Sequence, residues 1–252
     1  MLRSALRQTT CEVLNWLLPS ECLLCQAATD ANPDQVPLTV CVDCFEALLP
    51  PVTTVCVACG AQLGPHASPS GRCPHCRGRR FRFKSVTCLG MYNGLLRRLL
   101  LQGKWSLSSN SIRTLASVYV EARAVQLRSL NIERIIPIPQ IWHLRARRNF
   151  NAAVLLAAEI GKLLKRPVDL QVLQRSRGTR PQKRASFSDR GAIQRNSYRI
   201  RDAHVIRGER ILLVDDVLTT GATCDEAAGM LGQAGAKLCH VAVLARVSAT
   251  SS

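Results

Sequence analysis

Four Cys-x-x-Cys pairs lie between residues 22 and 76, and no other feature limits so strongly what this chain can fold into: Cys22/Cys25, Cys41/Cys44, Cys56/Cys59 and Cys73/Cys76. Two residues between cysteines let a tight turn aim both sulfurs at one point, and the stretches 26–40 and 60–72 are long enough for a short hairpin that returns the next pair. Four converging thiolates make the tetrahedral shell that Zn²⁺ prefers, so the eight cysteines predict two structural zinc ions in a double ribbon. Gly60 directly after Cys59 and Pro74 after Cys73 supply turn chemistry where it is needed. A disulfide framework would need an oxidising compartment. The N-terminus carries Arg3 and Arg7 and no continuous apolar segment of the secretory kind, so a cytoplasmic location is expected. Spacing fits both sequential and interleaved ligand pairing; sequential sites, Cys22/Cys25/Cys41/Cys44 and Cys56/Cys59/Cys73/Cys76, are the expectation. Cys11, Cys88, Cys224 and Cys239 read as ordinary core thiols. His66 and His75 read as surface residues, because four cysteines already close each shell.

Charge divides the chain at the same place. The 252 residues carry a formal charge of +17. Residues 1–80 hold six arginines and six acids, so the whole excess lies in residues 81–252, and 145–199 alone has 14 bases against Glu159, Asp169 and Asp189. Such a surface seeks anions, either a phosphorylated metabolite or a nucleic acid backbone. An apolar content of 47% excludes a disordered chain. No apolar run approaches the ~18 residues that would span a bilayer, so no membrane insertion is expected. Two domains follow: an N-terminal helix and double zinc ribbon over 1–82, and a second domain over 83–252.

From residue 86 the pattern alternates between apolar strand-like runs and helical periodicity, as in a layered βαβ fold. Strands are predicted over 86–92, 134–139, 211–214 and 238–244, and helices over 108–128, 151–165 and 223–233, the last closed by Gly235. The fold class is α/β, Rossmann-like with a parallel sheet. In such sheets ligands bind beyond the carboxyl ends of the strands. The segment there reads Asp215-Asp216-Val217-Leu218-Thr219-Thr220-Gly221-Ala222-Thr223. Gly221 lets the backbone approach an anion at a helix N-terminus, and Thr219, Thr220 and Thr223 offer hydroxyl donors to phosphate oxygens. Asp215 and Asp216 repel phosphate and suit sugar hydroxyls. A phosphate and a ribose on one loop define a phosphorylated sugar.

This run resembles the phosphoribosyl pyrophosphate (PRPP) loop of type I phosphoribosyltransferases. With the cysteine ribbon ahead of it, the chain resembles the ComF/GntX family over roughly residues 11–246. Other family-like positions are Leu18-Pro19, Pro137-Ile138-Pro139, Arg147-Arg148-Asn149-Phe150-Asn151, the 182–190 segment and Asn196. The resemblance implies that Asp215 and Asp216 act as the catalytic pair holding the ribose hydroxyls, that 219–223 cradles the 5′-phosphate with Val217 and Leu218 leading into it, and that Mg²⁺ bridges the pyrophosphate. Pyrophosphate candidates are Lys104, Arg145, Arg147 and Arg148, with a basic flexible loop over 175–190 that brings Arg177, Arg180, Lys183 and Arg184. The family's usual Arg-Gly-Phe-Asn-Gln is here Arg148-Asn149-Phe150-Asn151-Ala152, a departure that bears on turnover. The implied function is PRPP binding by a phosphoribosyltransferase-like protein associated with DNA uptake in natural competence. Two alternatives accompany it: an active phosphoribosyltransferase of nucleotide or amine metabolism, and a non-catalytic PRPP sensor or single-stranded DNA adaptor. Expected partners are PRPP, single-stranded DNA or DNA-processing proteins, and a second copy of the chain.

Overall fold

A computed structural model of the chain describes residues 21–22, 24–27, 40–49, 55–63, 73, 76, 78–105, 109–140, 150–176 and 197–247. Its centre is a four-stranded, all-parallel sheet in the order β1-β6-β5-β2, where β1 is Val86–Met91, β2 Arg134–Pro137, β5 Arg210–Leu218 and β6 Leu238–Arg246. The short strands β3 (Leu173–Arg175) and β4 (Tyr198–Ile200) form a separate antiparallel pair. The helices are α1 (Val42–Leu48), α2 (Gly94–Trp105), α3 (Asn110–Ser129), α4 (Ala152–Leu164) and α5 (Ala222–Gln233), with a 3-10 turn at Ala203–Ile206.

The central strands are nearly continuous apolar runs because helices cover the sheet on both sides. Leu115 and Tyr119 of α3 and Leu156 and Ile160 of α4 pack on Leu212, Val214 and Leu244. On the opposite face Ala227, Ala228 and Leu231 of α5 meet Ile211, Leu213, Val241 and Val243. Each such leucine or isoleucine contributes about 2 kcal/mol by leaving water. The helix ends obey local rules. Asn151 caps α4 by accepting from the Ala153 amide at 2.9 Å. Behind α5, Gly235 at φ +100° lets Ala236 and Gly235 donate back to Leu231 and Gly232, each at 3.0 Å.

Two sequence expectations need correction, and one helix is new. The run 211–214 is only the start of β5, which continues through Leu218 with Asp215, Val217 and Leu218 in register with Val243, Ala245 and Arg246. Acids are disfavoured in strands, so Asp215-Asp216 read as a loop; pairing with β6 overrides that preference. Helix α2 was not anticipated, because Arg97, Arg98 and two glycines interrupt its apolar face. Arg175 belongs to β3, so the expected flexible loop cannot begin there. No helix among the described residues is long and apolar enough to cross a membrane.

Candidate functional site

Beyond the end of β5 only Thr219, Thr220 and Gly221 separate the strand from α5. Gly221 is the N-cap at φ +81°, a left-handed conformation that glycine adopts without strain. A Cβ added there would lie 3.2 Å from Phe81, whose ring stacks on Phe83 at 4.7 Å between centroids. Gly221 is therefore favoured by its left-handed backbone, and the aromatic floor beneath it leaves little room for a Cβ. Thr219 and Thr220 are exposed above that floor. The Thr220 hydroxyl oxygen accepts from the Ala222 amide at 3.3 Å, and the Asp225 amide donates to Gly221 at 2.8 Å to begin the helix. The first-turn amides and helix dipole favour an anion at this end.

Asp215 and Asp216 are half-buried in the last turn of pleat before the loop, where Asp215 Oδ1 accepts from the Asp216 amide at 2.9 Å. Strand alternation sends them to opposite faces. Asp216 lines a shallow recess, partly open to solvent, with Leu100, Ile112, Phe150 and Ala152. Ala152, where the family pattern has glutamine, presents only a methyl group to that recess. Gln140 also lines it, and its Oε1 is buried with no hydrogen-bond partner among the described residues. On the other face, burial pushes Tyr198 up to about 12, with Arg175 opposing and Asp215 adding to the shift. Cys224, buried below the loop, is held well above the ordinary thiol range by burial and then by Asp215, Asp225 and Asp216. It is a packing residue with no thiolate to offer.

The cysteines come together in two groups, Cys22/Cys25/Cys41/Cys44 and Cys56/Cys59/Cys73/Cys76, with all sulfurs of a group within 4.8 Å of one another. This is the sequential grouping. Neighbouring sulfurs stand 3.6 Å (Cys25–Cys41), 3.9 Å (Cys56–Cys76) and 3.4 Å (Cys59–Cys73) apart. A tetrahedron with Zn–S bonds of about 2.3 Å has edges of about 3.8 Å, whereas a disulfide needs about 2.05 Å, so both clusters fit zinc. The turns share one hydrogen-bond pattern. Gln26 and Gly60 donate to Cys22 and Cys56 at 2.7 Å, and Cys22 and Cys56 donate onward to Ala27 and Ala61 at 2.8 Å. Burial opposes ionisation of Cys22, yet amides from Cys41, Cys25 and Leu24 overcome it and bring the thiol down to about 6. Cys56 falls to about 7 by the same balance, through Cys73, Cys59 and Ala58.

The remaining candidates divide by location. Lys104 lies on α2. Arg145, Arg147, Arg148, Asn149, Arg177, Arg180, Lys183, Arg184, Arg190, Asn196, Cys11, His66, His75 and Pro74 lie outside the described residues. Three neighbours of the loop escaped sequence reading. Arg82 donates its backbone amide and guanidinium to Asp225 in the first turn of α5 (Nη2–Oδ2 2.8 Å). Glu226 of α5 accepts from the Ser197 amide at 2.7 Å, next to the strand pair. Arg246 ends β6 and is 6% exposed. A lone arginine closing the apolar run Leu238–Arg246 was the available signal, but its neighbours depend on sheet register.

Residues 13–77 match the double zinc ribbon domain, and residues 151–251 match the phosphoribosyl transferase domain. The chain is 30% identical to competence protein F of Haemophilus influenzae over 196 residues, 76% of this chain and 84% of that protein. It is 29% identical to the DNA utilization protein YhgH of Salmonella typhimurium over 211 residues, 82% and 90% of the two chains. Among solved structures, the adenine phosphoribosyltransferase of Leishmania donovani is similar with a TM-score of 0.37 and 16% identity, over 66% of this chain and 86% of that one.

Proposed function

This chain, a double zinc ribbon joined to a phosphoribosyl transferase domain, belongs to the family of competence protein F and the YhgH proteins, and on that footing we propose that it binds PRPP in the service of DNA handling. The observation that carries the reading is the strand–turn–helix at 215–223: two carboxylates at the strand end, exposed threonines, and a left-handed Gly221 opening α5. In this reading the amides and hydroxyls of 219–223 bind the 5′-phosphate, and Asp215 and Asp216 accept from the ribose hydroxyls. Mg²⁺, when bound with PRPP, neutralises charge on the pyrophosphate. The eight cysteines would hold two zinc ions in closed, structural shells.

Turnover would transfer the phosphoribosyl group to an acceptor. The C1–oxygen bond breaks with its electron pair leaving on pyrophosphate, the acceptor's lone pair bonds to C1, and the acceptor's proton passes to solvent. Gln140 Oε1, in the recess beside Asp216, suits an acceptor that brings an N–H donor. Calorimetry with PRPP and Mg²⁺ tests the binding step. Wild-type protein should bind, and the double change Asp215→Asn with Asp216→Asn should raise Kd at least tenfold, about 1.4 kcal/mol. Equal affinity in both would place the pocket elsewhere.

One observation favours a nucleic acid contact beside PRPP. Arg79, Arg80, Arg82 and Lys84 are all exposed within one six-residue stretch that runs next to the loop. Single-stranded DNA should then bind with a log-log salt slope of about −0.7 per phosphate contacted. A slope of zero would leave PRPP as the only anion this region serves.

A further inference from the structure

Arg246 joins the second cysteine cluster to the phosphate loop. Its Nε donates to the carbonyl of Cys59 at 2.8 Å, and its Nη1 donates to the carbonyls of Leu218 (3.1 Å), Thr219 and Val247. Every partner of the guanidinium among the described residues is thus a carbonyl oxygen, and the side chain is almost wholly buried. On either side β6 is held in place: Leu218 is in register with Arg246, as is Met91, and Tyr92 donates to the Arg246 carbonyl at 2.8 Å.

Two physical consequences follow. A trans peptide places its N–H opposite its C=O. Arg246 holds the Thr219 carbonyl inward and, together with the Val247 amide at 2.9 Å, the Leu218 carbonyl, which turns the amides of Thr220 and Thr219 outward, to the side where these threonines are exposed. The second consequence concerns charge. A buried guanidinium satisfied only by neutral carbonyls is costly, and a dianion arriving above the loop offsets that cost. A lysine could keep the charge but not the fork that spans Cys59 and Leu218 together.

We infer that Arg246 is a positioning residue for the phosphate loop, and that through it the metal-held turn Cys56–Gly60 sets the affinity for the 5′-phosphate of a phosphoribosyl ligand. The first cluster makes no such link among the described residues. The ligand part of the inference rests on the PRPP reading; the coupling between turn and loop does not. Loss of metal from the second cluster frees the Cys59 carbonyl, leaves an N–H of Arg246 without its acceptor, and loosens the orientation of the loop amides. Since coupling between two sites is reciprocal, ligand on the loop must also stiffen the cysteine turn.

The test uses the full-length, zinc-loaded chain. Hydrogen exchange of wild-type protein, with and without saturating ribose 5-phosphate, should show slower exchange at 57–60 as well as at 219–222 when the ligand is bound. Protection confined to 219–222 would overturn the coupling. Arg246→Lys and Arg246→Met should each raise Kd for ribose 5-phosphate about tenfold or more, the methionine variant further, while Kd for pyrophosphate with Mg²⁺ stays the same. A purely structural residue would weaken both ligands together, and that result would overturn the positioning role. Should the variants fail to fold, the wild-type exchange experiment decides alone. If wild-type protein binds neither ribose 5-phosphate nor PRPP, the function proposed above fails. The coupling is then read in Arg246→Lys without ligand, where faster exchange at 57–60 and 219–222 together supports it and unchanged exchange at both overturns it.

Discussion

The two cysteine clusters share a motif and a turn geometry, but they meet the rest of the molecule differently. Cys25 of the first is exposed and Cys41 and Cys44 are half-buried, and the cluster joins the helical face through Cys22, Val40 and Leu48. All four cysteines of the second are buried, in a small core of their own with Ala61, Leu63 and Phe81. The second cluster is also bonded to the sheet: Val57 accepts from the Val86 amide at 2.9 Å, and Gly60 from the Cys88 thiol at 3.7 Å. The residue after each turn is left-handed, Gln26 at φ +62° and Gly60 at φ +68°. Glutamine is tolerated at the first because the position is exposed. At the second, a Cβ would lie 3.0 Å from Val86. Packing against β1, more than the turn itself, demands the glycine.

That contrast can be broken most forcefully at the metal. Purified protein should contain two zinc ions, and Cys41→Ser or Cys73→Ser should each release one by elemental analysis. A structural zinc site holds on the order of 10 kcal/mol of folding energy in isolated domains. The Cys73→Ser change should lower Tm more than Cys41→Ser and should alone disturb the phosphate loop. Equal losses of Tm and of PRPP affinity would erase the distinction. Gly60→Ala adds left-handed strain to the Val86 contact and should cost roughly 1–3 kcal/mol in denaturant unfolding. Gln26→Gly should act in the opposite direction, stabilising by about 0.5 kcal/mol, because it relieves strain where nothing crowds the site. A destabilised Gln26→Gly protein would show that the side chain has a role of its own. The smallest effect belongs to Arg82→Ala. Its side chain is 55% exposed, so losing the pair with Asp225 should cost no more than about 0.3 kcal/mol, reduced by salt. No change at low salt would leave this stretch out of the loop's support.

The sequence was legible where short-range chemistry decides the outcome. Cys-x-x-Cys spacing, the Gly221 turn and the Gly235 helix end depend on residues a few positions apart, and each stands where the pattern put it. Helix α4, predicted over 151–165, is found at Ala152–Leu164 because its cap and apolar face are both local. Long-range pairing was not legible. Asp215 and Asp216 read as loop residues, yet β6 draws them into the strand, and only that register sends one carboxylate to each face. Arg246 gave no sign of its partners, which lie 28 and 187 residues away. Gly221 was legible as a glycine for anion approach, but Phe81, 140 residues earlier, gave no sign that it lies beneath it. A Gly221→Val change therefore probes the aromatic floor and backbone strain together with phosphate binding, and it is not a clean test of the latter.

Phe81 and Arg82 also bear on how such a chain can be cut and rejoined. They sit at the seam where the ribbon half hands over to the sheet half, and both reach forward to the start of α5. A recombination event at this seam would carry away Phe81 and Arg82 with the cysteines, leaving Phe83 alone beneath Gly221 and Asp225 without its guanidinium. Phe81 and Arg82 thus tie the start of α5 to the segment that follows the cysteines. A descendant that shed the ribbon would need new residues under the loop, so lineages of this protein should inherit residues 56–85 and 215–229 as one linked block.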